Sequence, residues 1–217
     1  MRSFNDAPVV IKNLVIINAI ILVAQYVFDG SDLIGDFFQS FALHWTGSEH
    51  FRPWQVITHM LMHGGVLHFA FNMLALFMLG SLLERLWGPK RFLILYFLSG
   101  LVAALAQLAA YYVVIQRPEN AELLPLANET GALGASGAVM GVAAAFAYLF
   151  PNTPMYIIPI PVPIKAKWLI IGYFIFDLVS GIANQDGDNI AHFAHVGGAI
   201  TGFILTYYWQ KNKRTFY

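Results

Sequence analysis

Charged residues in this chain are confined to short intervals, and long apolar runs lie between them. Ala7–Phe28 carries only Lys12. Pro53–Leu83, Phe92–Gln116, Thr130–Ile164 and Asn189–Gln210 carry no charge, and Trp168–Gln185 carries only Asp177. A helix crosses the hydrocarbon core of a bilayer with about 20 mainly apolar residues. The pattern therefore predicts six helices, near residues 8–28, 66–84, 91–115, 136–150, 166–182 and 192–210. The first is read as a span and not a cleaved signal peptide, because its apolar run is long and no small-x-small site follows it. Between the fourth and fifth helices, Pro151, Pro154, Pro159, Pro161 and Pro163 forbid a regular helix and favour extended backbone. Residues 29–65 carry Phe37, Phe38, Phe41, Trp45, Phe51 and Trp54, which predicts an aromatic segment lying at the membrane interface. There is no internal repeat and no low-complexity tract.

Composition narrows the class. The chain has 217 residues, 58% apolar and 11% charged, against about 45–50% and about 25% in soluble domains. This excludes a disordered or nucleic-acid-binding chain. The expectation is one all-α domain over residues 1–217, a polytopic membrane bundle. Net charge is zero, so the total implies no electrostatic partner, and the absence of cysteine excludes disulfides, thiolate metal sites and a cysteine nucleophile.

Charge placement predicts orientation. Six spans put both termini on one side, together with Arg2, Lys12, Arg85, Lys90, Arg91, Lys165, Lys167, Lys211, Lys213 and Arg214. Only Arg52 and Arg117 fall on the other side. An excess of Lys and Arg marks the cytoplasmic face, so both termini are expected there, in a bacterial inner or plasma membrane.

Polar side chains inside membrane helices are functional candidates by default. Here His63, His68 and Asn72, then Ser136, then His192 and His195 all lie at the outer ends of three helices. Ser136 sits in Gly134-Ala135-Ser136-Gly137. It reads either as a helix N-cap or as a nucleophile on a tight turn, where glycines admit a substrate and free N–H groups await an oxyanion. A serine nucleophile needs a base within hydrogen-bond reach. Gly137 and Gly141 on the fourth helix, and Gly198 and Gly202 on the sixth, each form G-x-x-x-G, which lets membrane helices approach backbone to backbone. His195 lies three residues before Gly198 and shares its face; His192, one turn away, stays open as an alternative. His68 and Asn72 are four apart, on one face, and both can donate to an oxyanion. His59, His63 and His68 invite a metal reading, but no H-E-x-x-H and no acid accompanies them.

Taken together, His63-x4-His68-x3-Asn72, Gly134-Ala135-Ser136-Gly137, and Ala194-His195 followed by Gly198 and Gly202 resemble the rhomboid family of intramembrane serine proteases, over roughly residues 8–210. The resemblance implies a Ser136–His195 dyad as nucleophile and base. It implies an oxyanion site from the His68 and Asn72 side chains and the Ser136 N–H, with His63, Gly134, Gly137, Gly198 and Gly202 in support. Glu84 resembles the acid that ties the following cytoplasmic turn. Two residues depart from the family pattern: Gln55 follows Trp54 where Arg is common, and Met140 stands where many members stack an aromatic ring on the base.

The expected activity is hydrolysis of peptide bonds in or near transmembrane segments, with no cofactor and no metal. The partners are transmembrane protein substrates and the lipid bilayer, not nucleic acid. Asp177 is read as a structural, hydrogen-bonded acid unless the fifth helix abuts His195. Residues 183–190 are expected to act as a lid on the outer side, where the active site opens. The alternatives are a catalytically inactive rhomboid-like protein that binds membrane helices, and a small transporter or haem-binding bundle built on the histidines.

Overall fold

A computed structural model describes residues 6–28, 38–115, 124–157, 160–183 and 191–212. Phe37, the lid segment after residue 183, and the terminal basic residues Arg2, Lys213 and Arg214 lie outside the described residues.

Eight α-helices are described. Helix α1 (Val9–Val27) is followed by the aromatic outer segment, which contains the short α2 (Gln55–Thr58) and a 3₁₀ turn at His59–Leu61. Helix α3 (Val66–Ala75) continues through a π turn at Leu76–Gly80 into α4 (Ser81–Ile115). Helix α4 is two helices joined at a kink. Gly88 adopts φ +78°, which disfavours an L side chain, and Pro89 follows it. Next come α5 (Leu124–Glu129), α6 (Ser136–Leu149), strands β1 (Pro154–Ile157) and β2 (Ile160–Lys165), α7 (Ala166–Ala183) and α8 (His192–Lys211).

Val9–Val27, Val66–Ile115 and Ala166–Ala183 are long and apolar enough to cross a membrane. Helix α6, with 14 residues, is shorter. It is the centre of the bundle: every residue from Gly137 to Ala147 is buried. A helix that is apolar all round and built from Ala, Gly and Val can be enclosed on all sides, and α4, α7 and α8 enclose it. Helix α7 is peripheral. It buries only Ala166 and Asp177, while Trp168, Ile171, Ile175, Val179 and Ile182 face outward, as lipid-facing residues do.

The proline-rich stretch is not merely extended. It pairs as an antiparallel hairpin, with Pro154 opposite Lys165 and Met155 opposite Ile164. A two-stranded ribbon consists only of edges, so it tolerates residues that lack an N–H. Glu84 also differs from the sequence expectation. It does not tie the turn that follows it but caps the start of α1: its two carboxylate oxygens accept from the Val10 and Ile11 N–H groups, each at 2.9 Å. Those amides belong to the first turn and have no intrahelical acceptor, and the helix dipole favours an anion there.

Candidate active site

Helices α6 and α8 meet without intervening side chains. A Cβ on Gly198 would stand 1.9 Å from the Gly137 carbonyl oxygen, and one on Gly202 would stand 2.0 Å from that of Gly141. A Cβ on Gly137 would fall 2.5 Å from Ala103 Cβ on α4, so three helices converge at that level. Just above this contact, the Ser136 Oγ lies 2.8 Å from His195 Nε2. Ser136 is the first helical residue, and the cap position is Ala135, which makes no side-chain cap bond. The hydroxyl is thus directed at the imidazole and away from the N-cap role. His192 does not take that place: its Nδ1 meets Asp177 Oδ1 at 2.6 Å.

Helix α3 contributes His68 through a tight turn. Gly65, which opens the helix, has φ +147°. The Gly64 N–H donates to His68 Nδ1 at 3.3 Å, so the neutral ring carries its proton on Nε2. That edge of the ring lies against Gly134, where φ is +127° and a Cβ would stand 2.7 Å from His68 Cε1 and 2.9 Å from Nε2. Gly134 is therefore required twice, for its backbone conformation and for the ring's approach. Asn72 is buried on the same helix, and its Nδ2 donates to the His68 carbonyl at 2.9 Å. The amide keeps a second hydrogen. His63 is buried and packs its ring edge-on against His68 and Phe69, at 5.3 and 5.4 Å between centroids. Burial, and secondarily the neighbouring His68, lowers its pKa to about 4.

The outer segment holds the chain leading into Ser136. Leu43 and Ala132 exchange two backbone hydrogen bonds, of 2.7 and 2.9 Å, and the Gly134 N–H donates to the His59 carbonyl at 2.9 Å. Trp45 Nε1 donates to Asn128 Oδ1 at 2.7 Å. Gln55 is the hub of this segment and is fully buried. Its Nε2 donates to the His50 carbonyl at 2.8 Å and the Ser40 carbonyl at 3.2 Å, and its Oε1 accepts from the His44 N–H at 3.2 Å. An amide, which both donates and accepts, performs this task without burying a charge, so Gln55 is an integral part of the segment. A small cleft lined by His59, Gln107, Gly134 and Ser136 lies beneath it. The Gln107 Oε1 is buried there without a partner among the described residues.

Helix α7 carries the two residues that sequence reasoning undervalued. Asp177 is 1% exposed, and its Oδ1 lies 3.1 Å from His195 Nδ1. Tyr173 places its ring 6.1 Å from the His195 ring, at an interplanar angle of 38°. An aromatic neighbour of His195 is therefore present, supplied by α7, while Met140 packs with Ala144, Ala199 and Phe174. Tyr173 and Asp177 are four residues apart and share a face. That spacing, on a helix with a single acid, was the available signal. Asp177, His192 and His195 also form a composition that can ligate a metal, with ligand atoms within 4.8 Å of one another. Tetrahedral zinc with ligands near 2.05 Å sets neighbouring ligand atoms about 3.3 Å apart, and the 2.6 Å contact is that of a hydrogen bond.

Comparison with known proteins identifies relatives of this chain. A family model described as "Rhomboid domain" matches residues 50–212. The rhomboid protease GluP of Bacillus subtilis is 32% identical over 152 residues, covering 70% of this chain and 25% of that protein. The rhomboid protease AarA of Providencia stuartii is 33% identical over 167 residues, covering 70% and 54%. Rhomboid protein 1, mitochondrial, of Saccharomyces cerevisiae is 31% identical over 156 residues, covering 72% and 42%. The match spans from a quarter to about half the length of these relatives.

Proposed function

The chain belongs to the rhomboid family, and from that premise we propose that it is an intramembrane serine endopeptidase that hydrolyses peptide bonds in or near transmembrane segments. Family and apolar helices together make it an integral membrane protein. In our reading α1, α3 with its continuation to Gly88, the remainder of α4, α6, α7 and α8 are six spans of one domain. Both termini face the cytoplasm, and the site opens outward.

The observation that carries the reading is the 2.8 Å contact between Ser136 Oγ and His195 Nε2, within the range a nucleophile and its base require. Ser136 Oγ attacks the scissile carbonyl as His195 Nε2 takes its proton. In this reading the oxyanion is met by the Ser136 N–H, His68 Nε2–H and Asn72 Nδ2–H, fixed donors of the kind that stabilise developing charge. His195 then returns the proton to the leaving amine. A water molecule, deprotonated by His195, releases the acyl group and restores the hydroxyl. No cofactor or metal enters any step. Transmembrane proteins are the substrates and the bilayer is the medium.

The test uses purified protein with a panel of single-span substrates, comparing the wild type with Ser136→Ala. The wild type should cut a substrate and be labelled by a fluorophosphonate, unaffected by chelator. Ser136→Ala should do neither while remaining folded. Persistent cleavage by Ser136→Ala would refute the nucleophile. A wild type that neither cuts nor labels would identify an inactive helix-binding protein.

A further inference from the structure

Asp177 is a buried charge that the Ser136–His195 pair leaves unexplained. An ionisable group within a membrane span is costly and is paired or functional. Apart from Asp177, α7 buries only Ala166, so packing alone gives this helix little reason to carry an acid. The carboxylate is aimed between two histidines on successive turns of α8. Its Oδ1 lies 2.6 Å from His192 Nδ1 and 3.1 Å from His195 Nδ1. Its Oδ2 is buried with no hydrogen-bond partner among the described residues. Among the described residues, the hydrogen-bond contacts of this carboxylate are with the two imidazoles.

Proton accounting gives the consequence. A carboxylate oxygen only accepts, so each Nδ1 facing it carries a hydrogen. A neutral imidazole has one such hydrogen. His195 therefore leaves Nε2 as a lone pair, directed at the Ser136 hydroxyl 2.8 Å away. Without the carboxylate, the ring is free to hold its proton on Nε2, and that tautomer cannot accept from serine. When Nε2 does take the serine proton, the resulting imidazolium already faces an anion. Tyr173, one turn earlier on α7, packs beside the same ring.

We infer that Asp177 is a positioning residue. It fixes His195 in the Nδ1–H tautomer and stabilises its protonated form, while His192 donates to the same oxygen and holds the carboxylate in place. This rests on the serine-protease reading above and turns its dyad into a relay of Asp177, His195 and Ser136.

The experiment has two arms. In the first, cleavage kinetics compare the wild type with Asp177→Asn and Asp177→Glu. The amide is nearly isosteric but can offer an N–H to Nδ1, so kcat should fall by about 10²–10⁴ with KM unchanged, and Asp177→Glu should restore part of the loss. Asp177→Asn with wild-type kcat, or with only a lowered melting temperature, overturns the inference. The second arm needs no Asp177 variant. Histidine ¹⁵N NMR of the wild type in micelles at neutral pH, with the His195 signals assigned by His195→Gln, should show Nδ1 protonated and Nε2 bare. The opposite tautomer overturns the inference whether or not Asp177→Asn folds. A wild type without protease activity would overturn the serine reading instead, while the tautomer still decides the role of Asp177.

Discussion

The approach of α6 to α8 permits a sharp test at Gly198. Alanine adds one carbon and no rotamers, so the perturbation can be read from the backbone alone. Its Cβ would lie 1.9 Å from the Gly137 carbonyl oxygen and 2.7 Å from the carbonyl carbon. Both atoms are main chain, and no flexible side-chain end can yield. Real Cβ contacts stay above 3.0 Å, so the helices must separate locally by at least 1.1 Å. Ser136 adjoins Gly137, and His195 lies three residues before Gly198, so that displacement opens the 2.8 Å contact directly. A misplacement of about 1 Å costs about 10² in rate, and overpacking a core costs about 1–3 kcal/mol of stability. Gly198→Ala should therefore lose about 10² in kcat, with fluorophosphonate labelling falling in parallel, and Gly198→Val should lose more. Gly202→Ala meets a similar clash, at 2.0 Å from the Gly141 oxygen, but one turn further from the dyad. It should lower the melting temperature more than kcat. Gly172 on α7 has nothing within 4 Å of its would-be Cβ, so Gly172→Ala is the neutral control. If Gly198→Ala keeps wild-type kcat while folded, the glycine contact does not set the dyad distance.

Other predictions concern separate parts of the molecule. His68→Ala and Asn72→Ala should each lower kcat by about 10²–10³, the usual effect of removing an oxyanion donor; unchanged turnover in both would remove them from the site. Glu84→Ala strips two backbone amides of their acceptor and should cost about 1–3 kcal/mol, read as a lowered melting temperature at unchanged kcat; a matching loss of kcat would tie the α1 cap to catalysis. A reporter after residue 217 should be cytoplasmic, and a cysteine at residue 120 should react from outside with an impermeant reagent; the reverse pattern would invert the site. Burial lowers the His59 pKa from 6.5 to about 4, so above pH 6.5 the ring is neutral folded or unfolded. As pH falls from 6.5 to about 4, the unfolded chain takes up the proton first and stability declines; His59→Gln should flatten that decline, and a melting temperature constant over this range in the wild type would refute it.

Most of what converges at the site was readable because topology and periodicity carry it. The alternation of apolar runs and loops predicts that Ser136, His68 and His195 lie at corresponding ends of three helices, and glycines at four-residue spacing bring two of those helices together. Partners across the bundle were less legible. The apolar pattern of α7 does not say which neighbour it meets, so Asp177 stood as a structural acid although it faces His195. The aromatic ring beside the base was sought at Met140 on α6, yet Tyr173 reaches it from α7. Gln55 looked like the loss of a charged contact because its worth lies in three points of loop backbone, at Ser40, His44 and His50, that periodicity does not describe. Prolines 154, 161 and 163 signalled extended chain, but strand pairing depends on a turn whose register no side-chain period fixes.

The cap on α1 also has a consequence in time. The Val10 amide and the Glu84 carboxylate are 74 residues apart in the chain. At about 5–20 residues per second of synthesis, the first helix waits roughly 4–15 s for its acceptor. Until then the Val10 and Ile11 amides lack this acceptor. The joint can nevertheless close before Ser136, a further 52 residues on, has been made. The tether needs only the first 84 residues of the chain, whereas the Ser136–His195 contact needs 195.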